Sequence, residues 1–179
     1  MAIRPVLLLG NPLLTRVCEA VTEAELSAAV ESGVDLLDTM ADFRARRGWG
    51  RAIAAPQIGV LKRIVMVNID EPWLIINPEI GEPSGEMAEL WDDCMSFPDL
   101  LVRVRRHLSF TLHYRDREWA ARSLRVEGPL SELLQHEIDH LDGILAVSRA
   151  VDGGSFALQS QRHLLPGAAF ANRPDRAGR

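Results

Sequence analysis

The chain has 179 residues, 47% of them hydrophobic and 25% charged, with a formal net charge of −5. These are ordinary values for a globular domain long enough to bury its own core, and they exclude a disordered chain, a collagen-like fibre and a coiled coil. The negative balance supplies no global field for nucleic acid or anionic lipid, so neither partner is expected. The longest apolar runs are Val6 to Leu9, Ile64 to Val67 and Trp73 to Ile76, far short of the roughly 18 residues of a membrane span. The first residues lack the charged-then-apolar layout of a signal peptide, and the expected compartment is the cytoplasm.

Residues 1–20 read as a lead-in with a turn at Gly10-Asn11-Pro12. Thr22 followed by Glu25 reads as a capping box. Leu26, Ala29, Val30, Gly33, Leu37 and Met40 then recur at helical spacing, which predicts a long amphipathic helix over 22–45. Arg46-Arg47-Gly48 ends it.

From residue 50 to 127 the signals change to short strands punctuated by Gly and Pro. Strands are expected over 64–69, 73–76, 100–104, 108–114 and 121–126, with turns at Asn77-Pro78 and at Glu82 to Gly85. Arg103, Arg105 and Arg106 form a basic cluster that reads as a solvated strand face rather than a phosphate site. Gly128-Pro129 opens a second helix running to about Leu141, with Gly143 as a left-handed cap. The tail from Asp152 reads as loosely structured. The expectation is one catalytic domain over 1–150, with 151–179 as its short C-terminal tail.

The second helix carries the chemistry. His136-Glu137-Ile138-Asp139-His140 is H-E-x-x-H, and residues four apart share a helical face, so both imidazoles can reach one metal ion. Glu137, one step round, can act as a general base beside a Lewis acid. The same five residues also occur as two incidental histidines with a neighbouring Glu. A catalytic metal needs a third protein ligand. Downstream of His140 no carboxylate lies on a credible second helix, which makes the upstream Cys94 the better candidate. Residue type alone leaves Cys94 and Cys18 open to other roles, a buried thiol or a disulfide among them.

Three segments together resemble the peptide deformylase family, in that family's order. Gly50-Arg51-Ala52-Ile53-Ala54-Ala55-Pro56-Gln57 is similar to its first motif, Gly-x-Gly-apolar-Ala-Ala-Pro-Gln. Asp92-Asp93-Cys94-Met95-Ser96 resembles the second, Glu-Gly-Cys-Leu-Ser, and Gln135 to Gly143 is similar to the third without essential change. Ile76 to Ile80 resembles a further recurring segment, and the resemblance covers about residues 5–150.

The resemblance implies an α+β fold, with short strands around a central metal-binding helix and the long N-terminal helix packed outside. It implies one divalent ion, Fe(II) or Zn(II), held by Cys94, His136 and His140. Glu137 would move a proton from water to the leaving amine, while Gln57 and the backbone N–H of Met95 would stabilise the charge on a formyl oxygen. The substrate is expected to be an N-formylated peptide or related formamide, lying as an added strand beside Arg51, Ala52 and Ile53. Asp93, Glu132 and Leu133 are expected at its side-chain pocket. Four positions depart from the family pattern: Asp92 and Asp93 replace Glu-Gly, Ala52 replaces the second Gly of the first motif, and Arg51 stands where an apolar residue is usual. An arginine that follows the second motif in the family has no assigned counterpart. A long C-terminal helix, which docks some members on the ribosome, is replaced by a Gly-broken tail, so ribosome docking is not expected.

Three classes compete. The leading one is a metal-dependent formamide hydrolase acting on formyl-methionyl peptides or a formylated metabolite. A zinc endopeptidase would leave the Ala-Ala-Pro-Gln segment without a role. A non-catalytic binding protein would be expected to lose Glu137 or a ligand, and all are present. For Arg51, Asp93 and Glu132 two arrangements are open. Arg51 and Asp93 pair at the rim with Glu132 in water, or all three narrow and polarise the entrance.

Overall fold

The computed structural model describes residues 2–165. Thr22 N–H donates to the Glu25 carboxylate at 2.8 Å, and Lys62 Nζ reaches the same carboxylate at 2.8 Å. The stretch 23–25 is a single 3₁₀ turn, and α1 follows over Leu26–Arg47. Gly48 ends it at φ 79°, a left-handed position that costs glycine nothing.

Seven strands precede α2, which spans Gly128–Leu141, and an eighth follows it. They are β1 (Ala52–Ala54), β2 (Ile64–Asn68), β3 (Pro72–Gly81), β4 (Met87–Asp93), β5 (Leu100–His107), β6 (Ser109–Arg115), β7 (Ala121–Glu127) and β8 (Phe156–Leu158). One antiparallel sheet has the order β1-β2-β3-β6-β7, and a smaller one the order β4-β5-β8.

The larger sheet is covered on both faces, which is why β2 is an unbroken apolar run. Ile64, Met66 and Ile76 face one way, against Leu36, Met40 and Phe43 of α1. Val65, Val67 and Ile75 face the other way, against Leu133, Leu134, Ile138 and Leu141 of α2. The helix bearing H-E-x-x-H is therefore the interior helix, and α1 is the outer one. Gly33 lets α1 approach closely, because a Cβ there would stand 2.7 Å from a Leu74 methyl.

Several local expectations change. Asn77-Pro78 is not a turn but a bulge inside β3, with Asn77 at φ 51°. Its side chain accepts from Val21 N–H and donates to Val21 C=O, both at 2.8 Å, pinning the lead-in to the sheet. Strand β4 was not foreseen, because Met87 to Asp93 carries three acidic residues and reads as polar locally. Its stabilising partners lie across the ladder, where Glu89 faces Arg105 and accepts its hydrogen bonds at 2.8 and 2.9 Å. The tail is ordered at least to Leu165. Residues Phe156–Leu158 pair with Leu100–Val102, and a 3₁₀ turn spans Gln159–Leu164. Pro166-Gly167 and the Arg-rich end lie outside the described residues. Both cysteines are free thiols.

Candidate active site

Cys94 follows the last residue of β4, so the ladder to β5 fixes its position. His136 and His140 project from one face of α2. Cys94 Sγ lies 3.2 Å from His140 Nε2, and the two Nε2 atoms are 3.1 Å apart. All three donor atoms fall within 4.8 Å of one another, and all three residues are buried. Tetrahedral coordination at ordinary zinc bond lengths separates such donors by roughly 3.3–3.6 Å.

The residues around these donors orient them for a cation. His136 Nδ1 meets Asp92 Oδ2 at 2.9 Å, which turns Nε2 toward Cys94 and His140. Ser96 N–H points at Cys94 Sγ from 3.4 Å. Without a cation the cluster is electrostatically mismatched. Burial pushes the Cys94 thiol up, against the pull of His136. Burial also opposes charge on His136, but Asp92 and Cys94 overcome it and hold that ring well above its ordinary value. Burial, with His136 beside it, drives His140 well below. Two soft-to-borderline nitrogen donors and one sulfur converging at this spacing fit a single divalent ion.

Behind the cluster sits a buried ion network. Arg106 donates to Asp92 Oδ2 at 2.9 Å and also to Asp139 Oδ2 of α2. Arg149 approaches Asp139 Oδ1 at 2.5 Å. Burial opposes ionisation of Asp92, but His136 and Arg106 hold it well below the usual carboxylate range. Arg106 is thus not part of a solvated face. Val102, Val104 and Arg106 alternate inward along β5, while Arg105 points out. That period-2 pattern was in the sequence and could have separated Arg106 from its neighbours. Asp92 braces His136 and Arg106.

Gln57 lies in the 3₁₀ turn Ala55–Ile58, just after β1. Its Oε1 accepts from Ala54 N–H at 2.9 Å, which fixes the amide. Its Nε2 then points at Ser96 Oγ, 3.2 Å away, and at Cys94 Sγ, 3.6 Å away. Met95 is buried next to Cys94, in the core shared with α1. Glu137 is buried with no hydrogen-bond partner for Oε2 among the described residues. Burial raises its carboxyl to about 7.

These groups open on a cavity of about 460 Å³. Its walls include Gln57, Cys94, Met95, His136 and Glu137, together with Arg51, Ala52, Asp93, Glu132 and Leu133. The side chain of Ile53 is fully buried and packs toward α1. Arg51 pairs with Glu132 at 3.4 Å, not with Asp93. Asp93 faces Arg162 at 3.6 Å. Glu132 is therefore not turned to water. Burial raises its carboxyl to about 6, against the attraction of Arg51. Arg162 was missed because its pairing spans 69 residues (162 − 93) and a tail that looked unstructured.

Comparison with known proteins agrees with the geometry. The family model described as polypeptide deformylase matches residues 3–155. The chain is 37% identical over 152 residues to a peptide deformylase of Natranaerobius thermophilus, covering 84% of this chain and 94% of that one. It is 38% identical to a peptide deformylase of Heliobacterium modesticaldum, with 83% and 95% covered. Among solved structures, peptide deformylase from Thermotoga maritima superposes with a TM-score of 0.78 at 26% identity, covering 85% of this chain and all of that one. The enzyme from Thermus thermophilus gives a TM-score of 0.74 at 35% identity, with 82% and 85% covered.

Proposed function

The chain belongs to the polypeptide deformylase family of metal-dependent hydrolases, and from that premise we propose how its own residues remove an N-formyl group from a peptide. The observation that carries the proposal is the cluster of Cys94, His136 and His140, whose Cys94 and His136 line one cavity with Glu137 and Gln57.

Cys94, His136 and His140 hold one divalent ion, iron(II) or zinc. Such an ion supplies Lewis acidity toward an attacking water and the formyl oxygen. Glu137, unpartnered at Oε2 and raised to about 7, takes the proton of the attacking water and passes it to the departing amine. A carboxyl tuned near the working pH suits transfer in both directions. The Gln57 amide, fixed through its own carbonyl, presents Nε2 to the charge that develops on the formyl oxygen. The N–H of Met95 is the second donor, and losing one such donor costs about 10²–10³ in rate.

The peptide lies along β1. This strand is the edge of its sheet. Arg51 C=O accepts from Asn68 N–H at 2.8 Å, so alternation turns the Ala52 peptide groups to the open side. Main-chain pairing there binds a peptide without demanding a particular sequence. Arg51, Glu132 and Leu133 border the first side chain, because Glu132 lies one helical turn, about 6 Å, from His136. The Arg51–Glu132 pair makes that wall partly polar. Ile53 keeps its side chain in the core, and the same alternation turns its N–H and C=O toward Met66 of β2.

The test is an anaerobic formate-release assay with N-formyl peptides. Formate is expected from the metal-loaded chain. Glu137→Gln should retain the metal and lose about 10²-fold or more of the turnover. Near-normal formate release by that variant, or cleavage of internal peptide bonds instead, would refute the assignment.

A further inference from the structure

The wall that borders the first side chain of the peptide carries an ion pair. Arg51 stands just before β1, and Glu132 lies on α2, one helical turn before His136. Arg51 Nη2 and Glu132 Oε2 are 3.4 Å apart, and the two side chains are 25% and 14% exposed. Both line the cavity beside Leu133, His136 and Glu137. Leu133 packs into the core with Leu134 and Ile138, so it adds little polarity there. The pair is what a side chain entering this part of the cavity meets besides Leu133.

The pair is not saturated. Among the described residues neither side chain has a second hydrogen-bond or ion-pair partner. A guanidinium carries several N–H donors in a fixed fork, and a carboxylate accepts at both oxygens. One contact at 3.4 Å leaves donors on Arg51 and acceptor sites on Glu132 open to the cavity. An apolar side chain pressed against them displaces their water and returns no hydrogen bond, which weakens its binding. A side chain with a neutral oxygen returns one. A carboxylate does not serve equally, because it competes with Glu132 for the guanidinium and brings like charge beside it.

We propose that Arg51 and Glu132 are specificity-determining residues that favour a first side chain carrying a neutral oxygen on its δ atom. Glutamine carries such an oxygen. Methionine acquires one when its thioether is oxidised to the sulfoxide, which turns an apolar chain into a polar one of the same length. The δ oxygen accepts from Arg51, and a carboxamide also has an N–H to donate to Glu132. This rests on the deformylase reading above and narrows its substrate class. Formylated peptides with a neutral polar first residue, oxidised formyl-methionyl peptides among them, are the better substrates, and those with an apolar first residue the poorer ones.

The experiment measures formate release by the full-length, metal-loaded protein from N-formyl tripeptides ending in Ala-Ser. Their first residue is glutamine, methionine sulfoxide, glutamate or norleucine, the last having methionine's length and no polar side-chain atom. In kcat/KM, glutamine and the sulfoxide are expected to exceed norleucine and glutamate about tenfold, the effect of one hydrogen bond. The double variant Arg51→Leu with Glu132→Leu removes both charges together, and there norleucine is expected to overtake glutamine. Ratios taken within one protein cancel any loss of folded or metal-loaded enzyme, so a merely structural role leaves them unchanged. A native ratio to norleucine of one or below, for glutamine or for the sulfoxide, overturns the proposal. Glutamate equal to glutamine also overturns it, as does an unchanged glutamine-to-norleucine ratio in the double variant. Where that variant does not fold, the native ratios decide alone. If the native protein releases no formate from any of the four, the deformylase reading fails. The side-chain claim is then decided by calorimetric binding of the unformylated peptides. Tighter binding of the glutamine peptide than of the norleucine peptide supports it, and equal or weaker binding overturns it.

Discussion

Asp92 and His136 are 44 residues apart in sequence, and their side chains meet at 2.9 Å between Asp92 Oδ2 and His136 Nδ1. The contact joins the end of β4 to the middle of α2. It fixes which ring nitrogen of His136 faces Cys94, and so it decides the geometry of the donor cluster.

Asp92→Asn keeps the shape but removes the charge that orients and enriches the imidazole. Metal affinity is expected to fall about 10–100-fold, the usual effect of losing such a partner. Competition with a chelator, read as metal retained at each chelator concentration, checks this. Unchanged retention would show that packing alone orients His136.

Arg106 is 3% exposed between Asp92 and Asp139. Arg106→Met fills similar volume but removes the cation shared by two buried carboxylates, leaving Asp92 with His136 and Asp139 with Arg149. Breaking a buried network from one side costs about 3–5 kcal/mol. Urea denaturation of the metal-free protein is expected to show that loss, and a change under about 1 kcal/mol would contradict it.

Glu25 gives a pH dependence remote from the active site. The Lys62 hydrogen bond, with Thr22 N–H and Oγ, lowers its carboxyl from 4.5 to about 2 in the folded protein. A depressed folded value stabilises the protein above the unfolded value and ceases to do so as pH falls through the folded one. Glu25→Gln should therefore melt earlier than the native chain at pH near 7. That difference should shrink between pH 4.5 and about 2 and vanish below. Thermal midpoints of both proteins across that range measure it; a constant difference would remove Glu25 as its source.

Gly143 stands just past the end of α2 at φ 71°. A Cβ there would meet Thr15 C=O at 2.6 Å, and that atom is backbone. Gly143→Ala combines left-handed strain with a contact that cannot move aside. It is expected to cost at least about 1–2 kcal/mol. Equal stability in urea would show that the lead-in shifts freely.

Much of this protein is written locally. The helical spacing from Leu26 to Met40 specifies α1, and the i,i+4 histidines specify one face of α2, because both depend on neighbours within one or two turns. Cys94 was legible as a partner for them through a motif that resembles those of a known family. What the tertiary structure decided concerns charge. In sequence, Arg103, Arg105 and Arg106 are one basic cluster. In the fold, alternation along β5 sends Arg105 to water and Arg106 into the interior between two aspartates. Likewise Arg51 pairs with Glu132, and Asp93 with Arg162, across separations that no local pattern encodes. The physical reason is range. Backbone preference and amphipathic periodicity act over a few residues and can be read along the chain. Coulomb pairing and desolvation depend on which distant elements pack together, and only the folded chain specifies that.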